Sequence, residues 1–440
     1  MQSTIALDQQ VGAKASAIRR ATAAGVIGHF VEWYDYGVYA YVATILATVF
    51  FDASNPTAGL LSVFATFAIA FFARPVGGLI FGHLGDRIGR QRSLAAVIIL
   101  MSLSTFAIGI LPTYGQVSVL APLLLLACRI VQGLSAGGEI AGASSFVNEY
   151  APKNRRGLYS SFLPAASATG LLFGATLMMF LNGHYSKAEM ISWGWRVPFL
   201  IALPLGIVGL YLRVKIEDTP MFRLLLKDAK AEKNPLKASF TKQFRWIAVA
   251  FGATLTYGVG FYVVLSYLPS YLRTVSKLDE TTVFFVTAVT LIAHMIALPL
   301  WGALSDRIGR RPVLLTASVA LAVATYPVFL IIANGGSAPV TMAGSAFLAI
   351  LIAAGAAPLF SFMAEMFPTT VRSSSISIGY NASVMLFGGT APFISTYLLS
   401  ATGNPVSPSF YLVAAAAGAT LTLLLARTDD ASHRSELRQT

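Results

Sequence analysis

Twelve long apolar runs, separated by short polar turns, make up most of the chain: residues 21–48, 59–82, 94–112, 119–146, 158–181, 195–213, 246–271, 281–304, 312–333, 339–364, 373–400 and 408–427. A helix needs about 20 mostly apolar residues to cross the hydrocarbon core of a bilayer. Strands of a membrane barrel would instead alternate apolar and polar positions over about ten residues. The pattern therefore predicts an all-α membrane protein with twelve transmembrane helices. The first run contains acids and follows a segment without a small-residue cleavage site, so it reads as a retained span and not as a removed leader.

The polar turns repeat. Gly82 to Leu94 reads GHLGDRIGRQRSL, and 220 residues later Gly302 to Leu314 reads GALSDRIGRRPVL. A second echo pairs NEYAPKNRRG, from Asn148, with AEMFPTTVRS, from Ala364; each sets a Glu seven residues before an Arg, Glu149 with Arg156 and Glu365 with Arg372. Two echoes at nearly one spacing predict two homologous halves: six-helix bundles over 21–213 and 246–427, related by a pseudo-two-fold axis. They are flanked by an N-terminal segment, 1–20, a central loop, 214–245, and a tail, 428–440. In the central loop Phe222, Leu225, Leu226 and Ala229 recur at helical spacing opposite Arg223, Lys227 and Lys230, the pattern either of a helix lying on an anionic membrane surface or of a solvated linker.

Composition excludes a soluble domain. Apolar residues make up 56% and charged residues 11% of the chain, with a mean hydropathy of +0.69, whereas soluble domains are about a quarter charged. The net charge of +12 would suit a nucleic-acid binder, but its distribution does not. With both termini cytoplasmic, 25 of the 31 Lys and Arg lie in cytoplasmic segments, Lys187, Arg196, Arg273 and Lys277 lie at the other side, and Arg74 and Arg129 lie within spans. That bias is the one that orients multi-pass proteins in the plasma or inner membrane. Lipid, not nucleic acid, is the expected surroundings. Cys128 is alone, so no intramolecular disulfide forms. No phosphate-binding loop of the G-x-x-x-x-G-K-[ST] kind occurs, which argues against an ATP-driven pump, and no catalytic or metal-binding set stands out. A monomer without cofactor is the expectation.

Candidate chemistry rests on the few acids inside the spans: Glu32, Asp35 and Glu139. A charge at a helix centre costs about 2.5–3.5 kcal/mol or more on insertion scales, so each must face a cavity, a partner or a proton. Glu32 and Asp35, three apart, are neighbours on one helix. Two close carboxylates cannot easily both be charged unless an Arg intervenes. One reading is a proton-coupling pair; the other is two fixed ion pairs to Arg74 and Arg129. Arg129, which stays charged, can exchange partners but cannot release a proton. Glu139 is either an inner proton relay or a salt bridge. Gln132 projects with Glu139, and Gly133, Ala136, Gly137 and Gly138 between them allow close helix approach.

His29, Glu32, Trp33 and Tyr36 form one stripe of the first span, with Arg74 at similar depth in the second. In the second half Tyr257, Tyr262, His294 and Asn381 are the polar residues at comparable depth. A solute between these two sets could have a cationic head surrounded by Trp33, Tyr36, Tyr257 and Tyr262 and a carboxylate on Arg74, Arg129 or His294; packing is the alternative role for each aromatic. The repeated turns carry Asp86, Arg87 and Arg90, with Asp306, Arg307 and Arg310. A carboxylate there could cap the following helix or pair with Arg156 or Arg372, and so gate the inner face.

Taken together these features resemble the major facilitator superfamily, whose mark is G-x-x-x-D-R-x-G-R after the second and eighth spans. The stretches GHFVEWYDYGVY, FFARPVGGLIFG, RIVQGLSAGGEIAGA and WGWRVPFLIALPLGIVGLYLR followed by EDTPMF are similar to those of its metabolite:proton symporters. Among these, proline/betaine transporters are the most similar, with citrate and α-ketoglutarate permeases close behind. His29 stands where that family usually has Asn. The C-terminal coiled coil of its osmosensing members has no counterpart after Arg427. The resemblance implies two six-helix bundles around a central cavity that opens alternately to each side, importing a small polar solute with protons. Organic acids of the citrate, α-ketoglutarate or shikimate type are the alternative cargo, and a membrane sensor that transports nothing is the rival class.

Overall fold

A computed structural model describes residues 27–52, 55–88, 90–137, 144, 147, 151–214, 239, 241, 243–368 and 371–426, without the side chains of 79, 82–88, 90–94, 153, 212–214 and 373. Each of the twelve apolar runs contains helix. Among the described residues, eight helices are long and apolar enough to cross a membrane, and a ninth span is a pair bent by 46° at Trp195, Lys187–Gly194 with Arg196–Tyr211. Two shorter apolar helices, Ala95–Ile110 and Leu120–Ala136, occupy the third and fourth runs, and helix over 27–50 with one turn residue at Val42 occupies the first. The amphipathic pattern of the central loop, the N-terminal segment and the tail lie outside the described residues.

The duplication is visible where the repeated motif breaks the helices. In the first half a helix runs Pro56–Ile88 and the next begins at Arg90; in the second half they run Glu280–Ile308 and Arg310–Ala333. The second of these breaks falls on Gly309, the Gly of D-R-I-G-R. At Gly309 the backbone takes φ +96°, a value that a side chain would strain.

Close approach of spans 2 and 4 follows from the small residues expected to permit it. A Cβ on Gly133 would overlap the carbonyl of Ala70, and one on Gly137 the carbonyl of Arg74. Without a hydrophobic drive inside lipid, such backbone contact is what holds membrane helices together. Trp195 is fully buried and packs edge-on against Phe50 at 5.3 Å. Arg196 beside it donates to the carbonyls of Gly109 and Leu111 at 2.8 and 2.9 Å. These are the free carbonyls at the end of span 3, so the W-G-W-R stretch caps that helix from span 6.

Two spans of the second half contain wide, π-type turns, at Phe261–Tyr267 and Val384–Gly388. Such turns recur at functional sites because they shift side chains around the helix. Here the shift lets the consecutive residues Phe261 and Tyr262 both meet Trp33 of the first half, at 4.6 and 5.8 Å between ring centres.

Candidate functional site

Two buried ion pairs flank the first span. Glu32 Oε1 accepts from Arg74 Nη2 at 3.0 Å, and His29 Nδ1 lies 3.5 Å from the other carboxylate oxygen. Three residues on, Asp35 Oδ1 accepts from Thr105 Oγ1 at 2.7 Å and from Gln132 Nε2 at 2.8 Å. Arg129 Nη1 stands 3.6 Å from Asp35 Oδ2, beyond hydrogen-bond distance, and donates to Gln132 Oε1 at 2.6 Å. The two carboxylates therefore do not share one site. Each has turned to its own guanidinium, and the four charged side chains are at most 2% exposed.

Between the pairs lies Tyr36. Its ring centre is 4.8 Å from the Arg74 guanidinium carbon and 5.1 Å from that of Arg129. Arg129 also lies over Tyr39 at 4.2 Å and Phe67 at 5.2 Å, and Arg74 over Phe71 at 4.3 Å. Aromatic faces attract a desolvated cation by about 2 kcal/mol, so these rings offset part of the cost of burying two guanidinium groups.

Facing them is an aromatic wall from the second half. Tyr262 packs edge-on against Phe71 at 5.3 Å and Phe67 at 6.1 Å, Tyr257 against Phe261 at 5.5 Å, and Tyr380 reaches Tyr257 through Phe360. His294 lies edge-on to Phe261 at 6.3 Å, and its Nδ1 is 2.9 Å from the carbonyl of Ala349. The wall and the ion pairs together exclude water: Trp33, Tyr36, Tyr257, Tyr262, Tyr380 and His294 are each at most 3% exposed.

The halves also meet at one end of the bundle. Both carboxylate oxygens of Asp306, at the end of span 8, accept backbone amides of the other half, Gly157 and Leu158, at 2.9 Å each. These are orphan donors of the helix that begins at Arg156. Arg310 holds the same carboxylate at 2.6 Å and reaches Glu365 at 3.3 Å. At the opposite end Tyr41 donates to the carbonyl of Leu265 at 3.4 Å and meets Phe284 edge-on at 6.0 Å, and Phe64 meets Tyr267 at 5.7 Å.

Of the sequence-predicted residues, His29, Glu32, Trp33, Tyr36, Arg74, Tyr257, Tyr262 and His294 gather about the contact between the halves, whereas Asp35, Arg129 and Gln132 take their partners within the first half. Asn381 is only half-buried and bonds Ser377 on its own helix at 3.0 Å; its neighbour Tyr380 belongs to the wall instead. Asp306 caps neither the following helix nor an Arg of the second echo. Its partners are Arg310 and the amides after Arg156. Glu365 pairs with Arg310, while Arg372 Nε donates to the carbonyl of Phe367 at 3.2 Å, and Arg307 is exposed. Glu139, Glu149 and the side chains of Asp86, Arg87 and Arg90 lie outside the described residues. Sequence reading missed Thr105, which nothing distinguishes from Ser102 and Ser104 nearby, and Tyr39, which continues the stripe of Trp33 and Tyr36 by one further turn.

A family model described as "Sugar (and other) transporter" matches residues 21–240 and 225–427. The proline/betaine transporter of Escherichia coli K12 is 39% identical over 408 residues, covering 91% of this chain and 81% of that protein. The glycine betaine/proline/ectoine/pipecolic acid transporter OusA of Dickeya dadantii is 37% identical over 418 residues, covering 93% and 83%. Among solved structures, the major facilitator proton:xylose symporter XylE bound to 6-bromo-6-deoxy-D-glucose shares the fold with a TM-score of 0.75 at 19% identity, over 93% of this chain and 95% of that one. A partially occluded inward-open form of XylE from E. coli gives 0.74 at 18%, over 93% and 97%. The chain belongs to the sugar (and other) transporter family. It is a multi-pass membrane transporter with the twelve-helix major facilitator architecture, and not an enzyme.

Proposed function

We propose that this transporter is a proton symporter of the cell membrane, with both termini cytoplasmic, that imports a small zwitterion of the proline or betaine kind by alternating access. It works as a monomer of two bundles, 21–213 and 246–427, driven by the proton gradient without a cofactor. The names of the relatives support the solute class, and the bias of Lys and Arg supports the orientation.

One observation carries the coupling. Asp35 Oδ1 is occupied by Thr105 and Gln132, while Oδ2 has no hydrogen-bond partner among the described residues. A proton arriving at Asp35 has Oδ2 as its place. Once neutral, Asp35 no longer attracts the guanidinium 3.6 Å away, and Arg129 rests on Gln132 and the rings of Tyr39, Tyr36 and Phe67. Arg129 stays charged throughout and acts as partner, not carrier.

The solute sits between the halves. Arg74, which faces Tyr262 across the contact, takes its carboxylate in competition with Glu32, and Trp33, Tyr36, Tyr257 and Tyr262 surround its cationic head. His29, Gln132 and His294 complete the polar lining. Asp86, Arg87, Arg90, Glu149 and Arg156, with Asp306, Arg307, Arg310, Glu365 and Arg372, gate the cytoplasmic side, and Glu139 relays protons to it. Burial of the central residues and contacts at both ends support an occluded arrangement. Organic acids are the weaker reading, since both interior guanidinium groups already face a carboxylate.

The test is uptake of labelled proline, glycine betaine, citrate, α-ketoglutarate and shikimate into vesicles with an inward proton gradient. Gradient-dependent accumulation of proline or betaine is expected. Accumulation of none of the five would contradict the symporter reading.

A further inference from the structure

Within the proposed site, the cationic head of a zwitterion meets few acceptors. Glu32 is engaged by Arg74 and His29, and Asp35 by Thr105, Gln132 and Arg129. The aromatic wall offers π faces, which attract a cation whether or not it carries hydrogen. His294 differs from both. A carbonyl only accepts, so the contact with Ala349 at 2.9 Å fixes the hydrogen of the ring on Nδ1 and leaves the lone pair on Nε2. The ring is fully buried, and Nε2 has no partner among the described residues. No carboxylate contacts His294 among those residues either, so a charged imidazolium would stand unpaired in the interior. This tautomer presents a lone pair and repels a carboxylate, which removes His294 from the candidates for binding the acidic end of the solute.

A buried acceptor without a donor is costly and selective: a site built to bond an N–H discriminates strongly against an analogue that lacks it. We propose that His294 Nε2 accepts an N–H from the ammonium of the solute, so that the site favours solutes keeping at least one N–H over fully methylated quaternary ones. This rests on the zwitterion reading above and sharpens it. Secondary ammonium solutes such as proline gain the bond. Glycine betaine, with no N–H, presents only methyl groups to the lone pair and is held by the rings alone. His294 is thus a specificity-determining residue, poised by Ala349, whose carbonyl sets the tautomer from span 10.

Two substitutions separate this role from mere packing. In His294→Asn the amide nitrogen replaces Nδ1 and keeps a donor for Ala349 but removes the acceptor at the Nε2 position. In His294→Gln the longer side chain restores an acceptor there. Unlabelled proline and glycine betaine are competed against labelled proline in counterflow exchange, which needs no proton gradient. The Asn variant should lose proline affinity by roughly tenfold to a hundredfold, the range for a hydrogen bond from a charged donor, while betaine affinity changes less than threefold. The Gln variant should recover most of the proline preference. An unchanged proline-to-betaine ratio in the Asn variant, or an equal loss for both solutes in both variants, would overturn the assignment. Should the parent protein respond to neither solute, the proposed solute class falls, and the role of His294 with it; a parent that responds while the ratio stays fixed overturns His294 alone.

Discussion

Asp306 accepts the backbone N–H of Gly157 at 2.9 Å, although the two residues belong to different halves of the duplicated chain and lie 149 positions apart. A side chain at the end of one bundle thereby completes the first turn of a helix in the other. The bond joins the two halves, so it exists only while they are closed at this end. Its loss should favour opening there.

Asp306→Ala removes an N-terminal cap worth about 1–2 kcal/mol and the partner of Arg310. In a chain with Cys128 replaced by Ser, spin labels at the exposed positions 155 and 307 should report a shift toward the longer distance. The population ratio should change by about fivefold to thirtyfold, the shift that this energy implies at room temperature. An unchanged distance distribution would show that Asp306 does not hold the end closed.

Gly157 and Gly302 make the same closure possible by size. A Cβ on Gly302 would lie 2.7 Å from the carbonyl oxygen of Gly157, so Gly302→Val should keep the bundles apart at this end. Turnover should fall by an order of magnitude or more, while equilibrium solute binding from the cytoplasmic side persists. Normal turnover by this variant would mean that the backbones need not touch.

Arg74→Gln leaves Glu32 buried without its guanidinium, and breaking a buried pair in this way costs about 3–5 kcal/mol. Thermal unfolding in detergent should therefore occur at a clearly lower temperature. Adding Glu32→Gln should restore most of the stability but not solute affinity, because the double variant is neutral and still lacks the group proposed to take the carboxylate. Recovery of both together would assign Arg74 a structural role only.

Tyr36 stands between two cations, whose guanidinium carbons lie 4.8 and 5.1 Å from its ring centre. Tyr36→Leu should lower thermal stability, since each cation–π contact contributes about 0.5–2 kcal/mol, whereas Tyr36→Phe should remain close to the parent. Equal losses in the two variants would place the effect in the hydroxyl.

Much of this arrangement was legible in the residues, and the limits of that reading have physical causes. Run length and the repeated D-R-I-G-R turns define the twelve helices and the duplication, because lipid demands helices of a fixed length and a turn at φ +96°, as at Gly309, favours glycine. The acids Glu32 and Asp35 stand out because burying a charge in a span is expensive, so each such residue is conspicuous. Their partners are less so. Thr105 looks like any serine or threonine on an apolar helix until Asp35 is placed beside it. Asn381 is more polar than its neighbour Tyr380, yet Tyr380 joins the wall, because polarity alone does not say which side of a helix faces inward. The π-type turn at Phe261 defeats a reading based on regular 3.6-residue spacing. The cap at Gly157 pairs two distant segments that only the folded chain brings together, and no local pattern announces it.

The central claim is that Asp35 carries the transported proton, and the most direct measurement compares two kinds of flux in one variant. Asp35→Asn, reconstituted into vesicles, should still exchange labelled proline for unlabelled proline across the membrane. It should fail to accumulate proline against its gradient when an inward proton gradient is imposed. Accumulation at the level of the parent protein would contradict the claim and leave the ion pair of Asp35 with Arg129 as a structural feature only.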